Sequence, residues 1–202
     1  MKNLGLDFFF NNEYFVIDFE NTGGSLDKGH KITGVGVCIV QPQKNKFQVS
    51  QKFSTLVNPE REISTFIENL IGIKSDEVNN SNYPKIDEVF NTLEGLYGNT
   101  RIFAAHAVKV DYTMYDYLYF QKYKTHLKAV ALDTLKLAKK ILEIKKANIG
   151  RVAELFNINS GSHHQPDFDA YVASVILMES LAQLKKNHKL LDDFKECLSE
   201  FK

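Results

Sequence analysis

Tyr14-Phe15-Val16-Ile17-Asp18-Phe19-Glu20 is the stretch on which the fold turns. Its β-branched and aromatic residues predict a strand. Strand side chains alternate between two faces, so Asp18 and Glu20 share one face with Val16. Phe15, Ile17 and Phe19 take the other face and are candidate core. Two acids side by side at a strand end repel each other. A cation between them removes that penalty, and carboxylate oxygens are the ligands magnesium and manganese prefer. Taken alone, the pair fits a solvated strand end equally well.

Working outward, residues 31–40 and 46–57 predict two more strands, with Pro42 and Asn45 suited to the hairpin between them. Segment 61–97 reads as helix in pieces, broken around Gly72 and Pro84. Residues 101–105 predict a short strand, 108–123 a helix, and 129–132 a fifth strand. Helices are expected from Thr134 to Leu142, over 149–156 and over 166–186. The tail, 188–201, carries an apolar stripe of Leu190, Leu191, Phe194, Leu198 and Phe201, which predicts a final amphipathic helix. Three consecutive strands followed by alternating helix and strand predict an α/β fold, a mixed sheet flanked by helices. A doubly wound parallel sheet would call for a glycine-rich phosphate loop after the first strand, and none follows. The expectation is one domain over 1–202, with its core at about 14–186 and a helical tail over 187–202.

The 202 residues are 44 % hydrophobic, enough for a sizeable core. Formal net charge is zero, which argues against a protein that coats long nucleic acids through bulk charge. An enzyme gripping only a strand end is compatible with neutrality. Cys38 and Cys197 are far apart and form no CxxC pair, which fits a reducing compartment. The apolar run at Leu6–Phe10 is short and interrupted by Asp7, so neither a signal peptide nor a membrane span is read there. A cytoplasmic location is expected.

Three further residues bear on chemistry. Asp111 opens a predicted helix and shares a face with Tyr115 and Leu118. It also fits a first-turn acid that favours the helix dipole. Asp169 shares a face with Ala173, Ile176 and Ser180, which puts it at the rim of a core, where a carboxylate needs a partner. It too fits a first-turn acid, after Pro166. His164 follows Ser160-Gly161-Ser162-His163, and its neutral-range pKa suits a general base, although a surface histidine accounts for it as well. Two cations held by the four acids would activate a water and stabilise the leaving oxygen in an in-line attack on phosphorus.

The order of these residues resembles the DEDDh exonuclease family, DnaQ-like proteins that include the proofreading epsilon subunit of bacterial DNA polymerase III. The first motif is Val16-Ile17-Asp18-Phe19-Glu20-Asn21-Thr22-Gly23. The second is Ile102-Phe103-Ala104-Ala105-His106-Ala107-Val108-Lys109-Val110-Asp111, and the third His164-Gln165-Pro166-Asp167-Phe168-Asp169-Ala170. Connecting segments such as Leu132-Asp133-Thr134 also match, and the resemblance spans roughly residues 14–184. It implies a ribonuclease H-like fold with a five-stranded mixed sheet. It implies two Mg²⁺ or Mn²⁺ ions on Asp18, Glu20, Asp111 and Asp169, with Asp18 bridging both and His164 deprotonating the attacking water. Nucleoside 5′-monophosphates would leave a 3′ end. Residues Glu20 to Gly23, with His106 and His164, would contact the substrate.

This sequence departs from the family where Asn21 stands for the usual Thr, Ala107 for Asn, Val110 for Phe and Ile71 for a frequent His. Single-stranded 3′ ends are the expected partner, DNA ahead of RNA, with a DNA polymerase as a candidate associate. RNA or transfer RNA trimming, a catalytically weak binding module of the same fold, and a different metal-dependent hydrolase are the alternatives. Ten basic residues, Lys109, Lys122, Lys124, Lys128, Lys136, Lys139, Lys140, Lys145, Lys146 and Arg151, form a candidate path for phosphates; for most of them a plain solvated face suffices. Tyr112 and Tyr115 are candidates for base stacking or, more simply, for core.

Overall fold

The computed structural model describes residues 4–44, 46–98, 101–158 and 166–201. A short helix α1 (Leu6–Phe10) precedes β1 (Tyr14–Asn21), β2 (Ile32–Gln43) and β3 (Lys46–Leu56). Helices α2 (Thr65–Ile71), α3 (Ser75–Val78) and α4 (Ile86–Tyr97) follow. Then β4 (Ile102–Ala105), α5 (Lys109–Tyr123), β5 (Ala129–Asp133) and α6 (Thr134–Lys140) alternate. Helices α7 (Ile149–Leu155), α8 (Pro166–Lys186) and α9 (Leu191–Glu196) lead to a last strand, β6 (Leu198–Phe201).

The sheet runs β3-β2-β1-β4-β5-β6. Strands β1, β2 and β3 pair antiparallel, β4 lies parallel to β1, and β5 parallel to β4. It is the expected mixed sheet, with six strands instead of five. The tail is the correction. Residues 188–201 do not form one amphipathic helix: a 3-10 turn and α9 give way to β6, which pairs antiparallel with β5. Leu198 and Phe201 fit a helical stripe and a strand face equally, and tertiary pairing decides. Without β6 the edge of β5 would stand open, an unpaired row of backbone groups. Phe201 stacks on Tyr112 with ring centroids 3.7 Å apart.

Alternation in β1 feeds two cores. Tyr14 and Val16 pack with Ala104, Leu132 and the α8 residues Ile176 and Leu177. Phe15, Ile17 and Phe19 pack with Phe103, with Phe90 and Leu93 of α4, and with Tyr112 and Tyr115 of α5. Tyr112 and Tyr115 are therefore core, not stacking surfaces. A small third cluster joins Ile67 and Ile71 to Ile73 and Val78. Ile71 is apolar core there, which accounts for an isoleucine in place of the family's frequent histidine.

Ala107 adopts φ 62° in the turn into α5. This left-handed conformation disfavours any residue with a Cβ, while Asn tolerates it better than Ala. The family's usual Asn matches that backbone demand; Ala107 meets it at a cost.

Candidate active site

The acids of β1 sit on the sheet face covered by α8. Directly across from them in β2 stand two glycines: Asp18 pairs with Gly36 and Glu20 with Gly34. A Cβ on Gly36 would lie 1.9 Å from the Pro166 carbonyl oxygen, and one on Gly34 would lie 2.8 Å from Pro166 Cγ. The missing side chains let the first turn of α8 rest on the strand backbone. Asp169, one turn along, thereby reaches the β1 acids. Carboxylate oxygens of Asp18, Glu20 and Asp169 all lie within 4.8 Å of one another. Gly34 and Gly36 went unread in the sequence, although a glycine inside a strand signals a bulge or a close backbone approach.

Asp111 enters from the other side of β1. Parallel pairing of β1 with β4 ends at Val16 and Ala104. Beyond that point the Phe19 N–H donates to Asp111 Oδ1 at 3.0 Å. The carboxylate thus satisfies a buried strand donor and is itself buried.

The electrostatics are strained without a counter-charge. Burial, and then the charges of Asp111, Asp169 and Glu20, push Asp18 well above the usual carboxylate range. Burial and the charges of Asp169 and Asp111 push Glu20 up to about 8. Burial raises Asp111 to about 7, opposed by the Phe19 N–H and its own backbone N–H, with Asp133 adding to the rise. Only groups that stabilise negative charge reverse such shifts. Oxygens bound to one Mg²⁺ stand at most about 4.2 Å apart. A group already within 4.8 Å therefore needs only a small closure to fit a divalent cation.

Of the residues expected to contact substrate, Asn21 and Gly23 line one cavity and His106 another. The first, of about 640 Å³, is also lined by Lys109, Val110, Thr113 and Met114. Asn21 Oδ1 accepts from the backbone N–H groups of Gly23 (2.7 Å) and Gly24 (3.0 Å), so it shapes the loop. Val110 is exposed on the cavity rim. Thr22 is buried away from that cavity; its hydroxyl meets His30 Nδ1 at 3.1 Å and accepts from the Lys31 N–H. His106 lines a second cavity, of about 700 Å³, together with Asp169. Thr134 donates to the Ala105 carbonyl and faces His106 Nδ1 at 3.1 Å, and burial lowers the histidine's pKa. Asp133 accepts from the N–H groups of Leu135 and Lys136, capping α6 beside it. His164 lies outside the described residues, two positions before Pro166.

A family model named RNase_T and described as Exonuclease matches residues 15–177. The chain is 30 % identical over 182 residues to the 3′-5′ exonuclease DinG of Bacillus subtilis (strain 168), covering 86 % of this chain and 18 % of that protein. It is 29 % identical over 188 residues to the PolC-type DNA polymerase III of Thermotoga petrophila, covering 92 % of this chain and 13 % of that protein. The chain thus spans less than a fifth of the length of these relatives. Among solved structures, the nuclease domain of 3′hExo, a DEDDh family member bound to rAMP, matches with a TM-score of 0.66 at 16 % identity, covering 96 % of this chain and 98 % of that one. Exonuclease X in complex with 5′ overhanging duplex DNA matches at 0.62 and 17 % identity, covering 91 % and 98 %. At those identities the likeness is one of fold, the ribonuclease H-like α/β architecture.

Proposed function

This chain belongs to the RNase T exonuclease family, and from that premise we propose that it removes nucleoside 5′-monophosphates from the 3′ end of single-stranded nucleic acid, DNA ahead of RNA. The convergence of Asp18, Glu20 and Asp169 within 4.8 Å carries the reading. These three, with Asp111, are the residues that would hold two Mg²⁺ or Mn²⁺ ions. When bound, the ions supply Lewis acidity and a water of lowered pKa.

The chain's own residues supply the rest. The cavity beside Asn21, Gly23 and Val110 accepts the terminal nucleoside; its volume suits a small ligand. Where the family has Phe, Val110 offers a smaller apolar edge, which loosens the fit to a base. Backbone groups of the Asn21–Gly24 turn orient the sugar end. His164 takes the proton of the attacking water, a role that rests on its place in the third motif. The similarity to PolC-type DNA polymerase III favours DNA. It also makes a polymerase a candidate partner. No helix among the described residues is long and apolar enough to cross a membrane.

Matched 3′-labelled DNA and RNA single strands test the reading with Mg²⁺ and with Mn²⁺. Mononucleotide release is expected, abolished by EDTA and by Asp18→Ala. With His164→Ala, turnover falls while metal binding survives; unchanged turnover removes it as the base. Absence of release from both strands with both metals rejects the enzyme in favour of a binding module.

A further inference from the structure

Charge across the chain is balanced, 25 basic against 25 acidic residues, so any local excess of one sign reflects placement. Several of the ten basic residues between Lys109 and Arg151 are engaged. Lys122 pairs with Glu94, Lys140 with Glu196 and Arg151 with Glu154. Lys139, Lys145 and Lys146 are different. All three are exposed, and all three line a cavity that also reaches Asp169. Among the described residues Asp169 is its only carboxylate.

The lysines are set on an anchored frame. Lys139 stands in the last turn of α6. The chain then turns back, with Ile141 and Ala147 buried and the Ile144 N–H bonded to the Ala138 carbonyl at 2.9 Å. The Asn148 side chain caps α7 through the Arg151 N–H at 2.8 Å. Residues 145 and 146 are thereby held over the cavity.

We propose that this cleft is the track for the phosphates on the 5′ side of the cleaved bond, gripped by Lys139, Lys145 and Lys146. The proposal rests on the exonuclease reading and deepens it. A scissile phosphate at the carboxylates has the terminal nucleoside on one side and the rest of the strand on the other. The Asn21–Val110 cavity and the lysine cleft share no lining residue: Asn21 and Val110 of the first adjoin Glu20 and Asp111 in the chain, while Asp169 lines the second. With the terminal nucleoside in the first cavity, the strand leaves through the second. Lysine ammoniums act as point charges on phosphate without reading sequence, which suits an enzyme that must advance through any sequence.

The test compares the native protein with a Lys139→Ala/Lys145→Ala/Lys146→Ala variant on two substrates. One is a ten-nucleotide single strand. The other is the p-nitrophenyl ester of thymidine 5′-monophosphate, which has a terminal nucleoside and no 5′ neighbour. The expected result is a higher KM on the strand, with the slope of log KM against log salt reduced by about 2, roughly 0.7 for each phosphate that the variant leaves unneutralised. Ester hydrolysis stays at the native rate, and arginine at all three positions restores the strand KM. An unchanged strand KM and slope overturns the proposal, as does an equal loss on both substrates. Should the native protein cleave neither substrate, the exonuclease reading fails by itself. The salt dependence of fluorescent-strand binding, native against variant, then decides the cleft.

Discussion

The two acids of β1 and the acids of α5 and α8 come near one another by different physics. Asp18 and Glu20 share a face because strand side chains alternate, a relation fixed within three residues. Asp111 and Asp169 depend on packing. The first is held by a backbone N–H that β4 leaves open, the second by two glycines that let α8 settle on β2. The acids themselves are thus only part of what builds the site. A close helix–sheet approach, marked by residues with no chemistry of their own, brings the second pair to the first.

The strongest test of that contrast removes one acid from each class. Asp18→Asn and Asp169→Asn are each expected to lower the exonuclease rate by several kcal/mol of transition-state stabilisation, on the order of 10³-fold. A mild effect of Asp169→Asn beside a large one of Asp18→Asn would show that the helix-borne acid is peripheral.

Gly36→Val keeps all four acids and attacks only the approach of α8. The new side chain meets the Pro166 backbone, which must move. Displacing a site carboxylate by about 1 Å is expected to cost on the order of 10²-fold in rate. Single-turnover rates and Mn²⁺ titration calorimetry check this; a fully active variant would dismiss the glycine account.

Metal and pH sharpen the electrostatic side. Glu20 and Asp111 have folded-state pKa values raised to about 8 and about 7, against roughly 4 when unfolded. The native metal-free state therefore holds more protons than the unfolded chain at intermediate pH. Their contribution to stability is fully present below about pH 4 and is lost as pH rises through 7 to 8. Melting of the EDTA-treated protein should show this loss. Saturating Mg²⁺, at about 100 times its Kd, adds roughly 2.7 kcal/mol at pH 8 and less at pH 5, where protons compete for the oxygens. Equal gains at both pH values would contradict the raised carboxylates.

The smallest effect concerns the turn that presents Asp111. Ala107→Asn relieves a left-handed alanine and should stabilise the fold by about 0.5–1 kcal/mol in urea unfolding. No gain would mean that the strain at this turn is negligible.

Much of this was legible from residues alone. Alternation in 14–20 placed both the acids and the aromatic core, and the breaks at Gly72 and near Pro84 separate α2, α3 and α4. The tail was not legible. Its apolar spacing fits helix and strand alike, and only the open edge of β5 selects β6. The candidate site divided in the same way. All four acids were read, yet Thr22 turns to His30 and His106 to the second cavity, because hydrogen bonds to His30 and Thr134, outside either motif, set their orientation.

The sequence by itself determined which carboxylates this protein carries, the face two of them share, and the family order that links them. Those are properties of nearest neighbours and of spacing, which a strand or a helix turns directly into position. Tertiary structure alone decided that the acids converge, which three of ten basic residues line the cleft beside them, and how the sheet closes. Each depends on segments far apart in the chain meeting in space: Pro166 on Gly36, Phe19 on Asp111, Leu198 on Leu132.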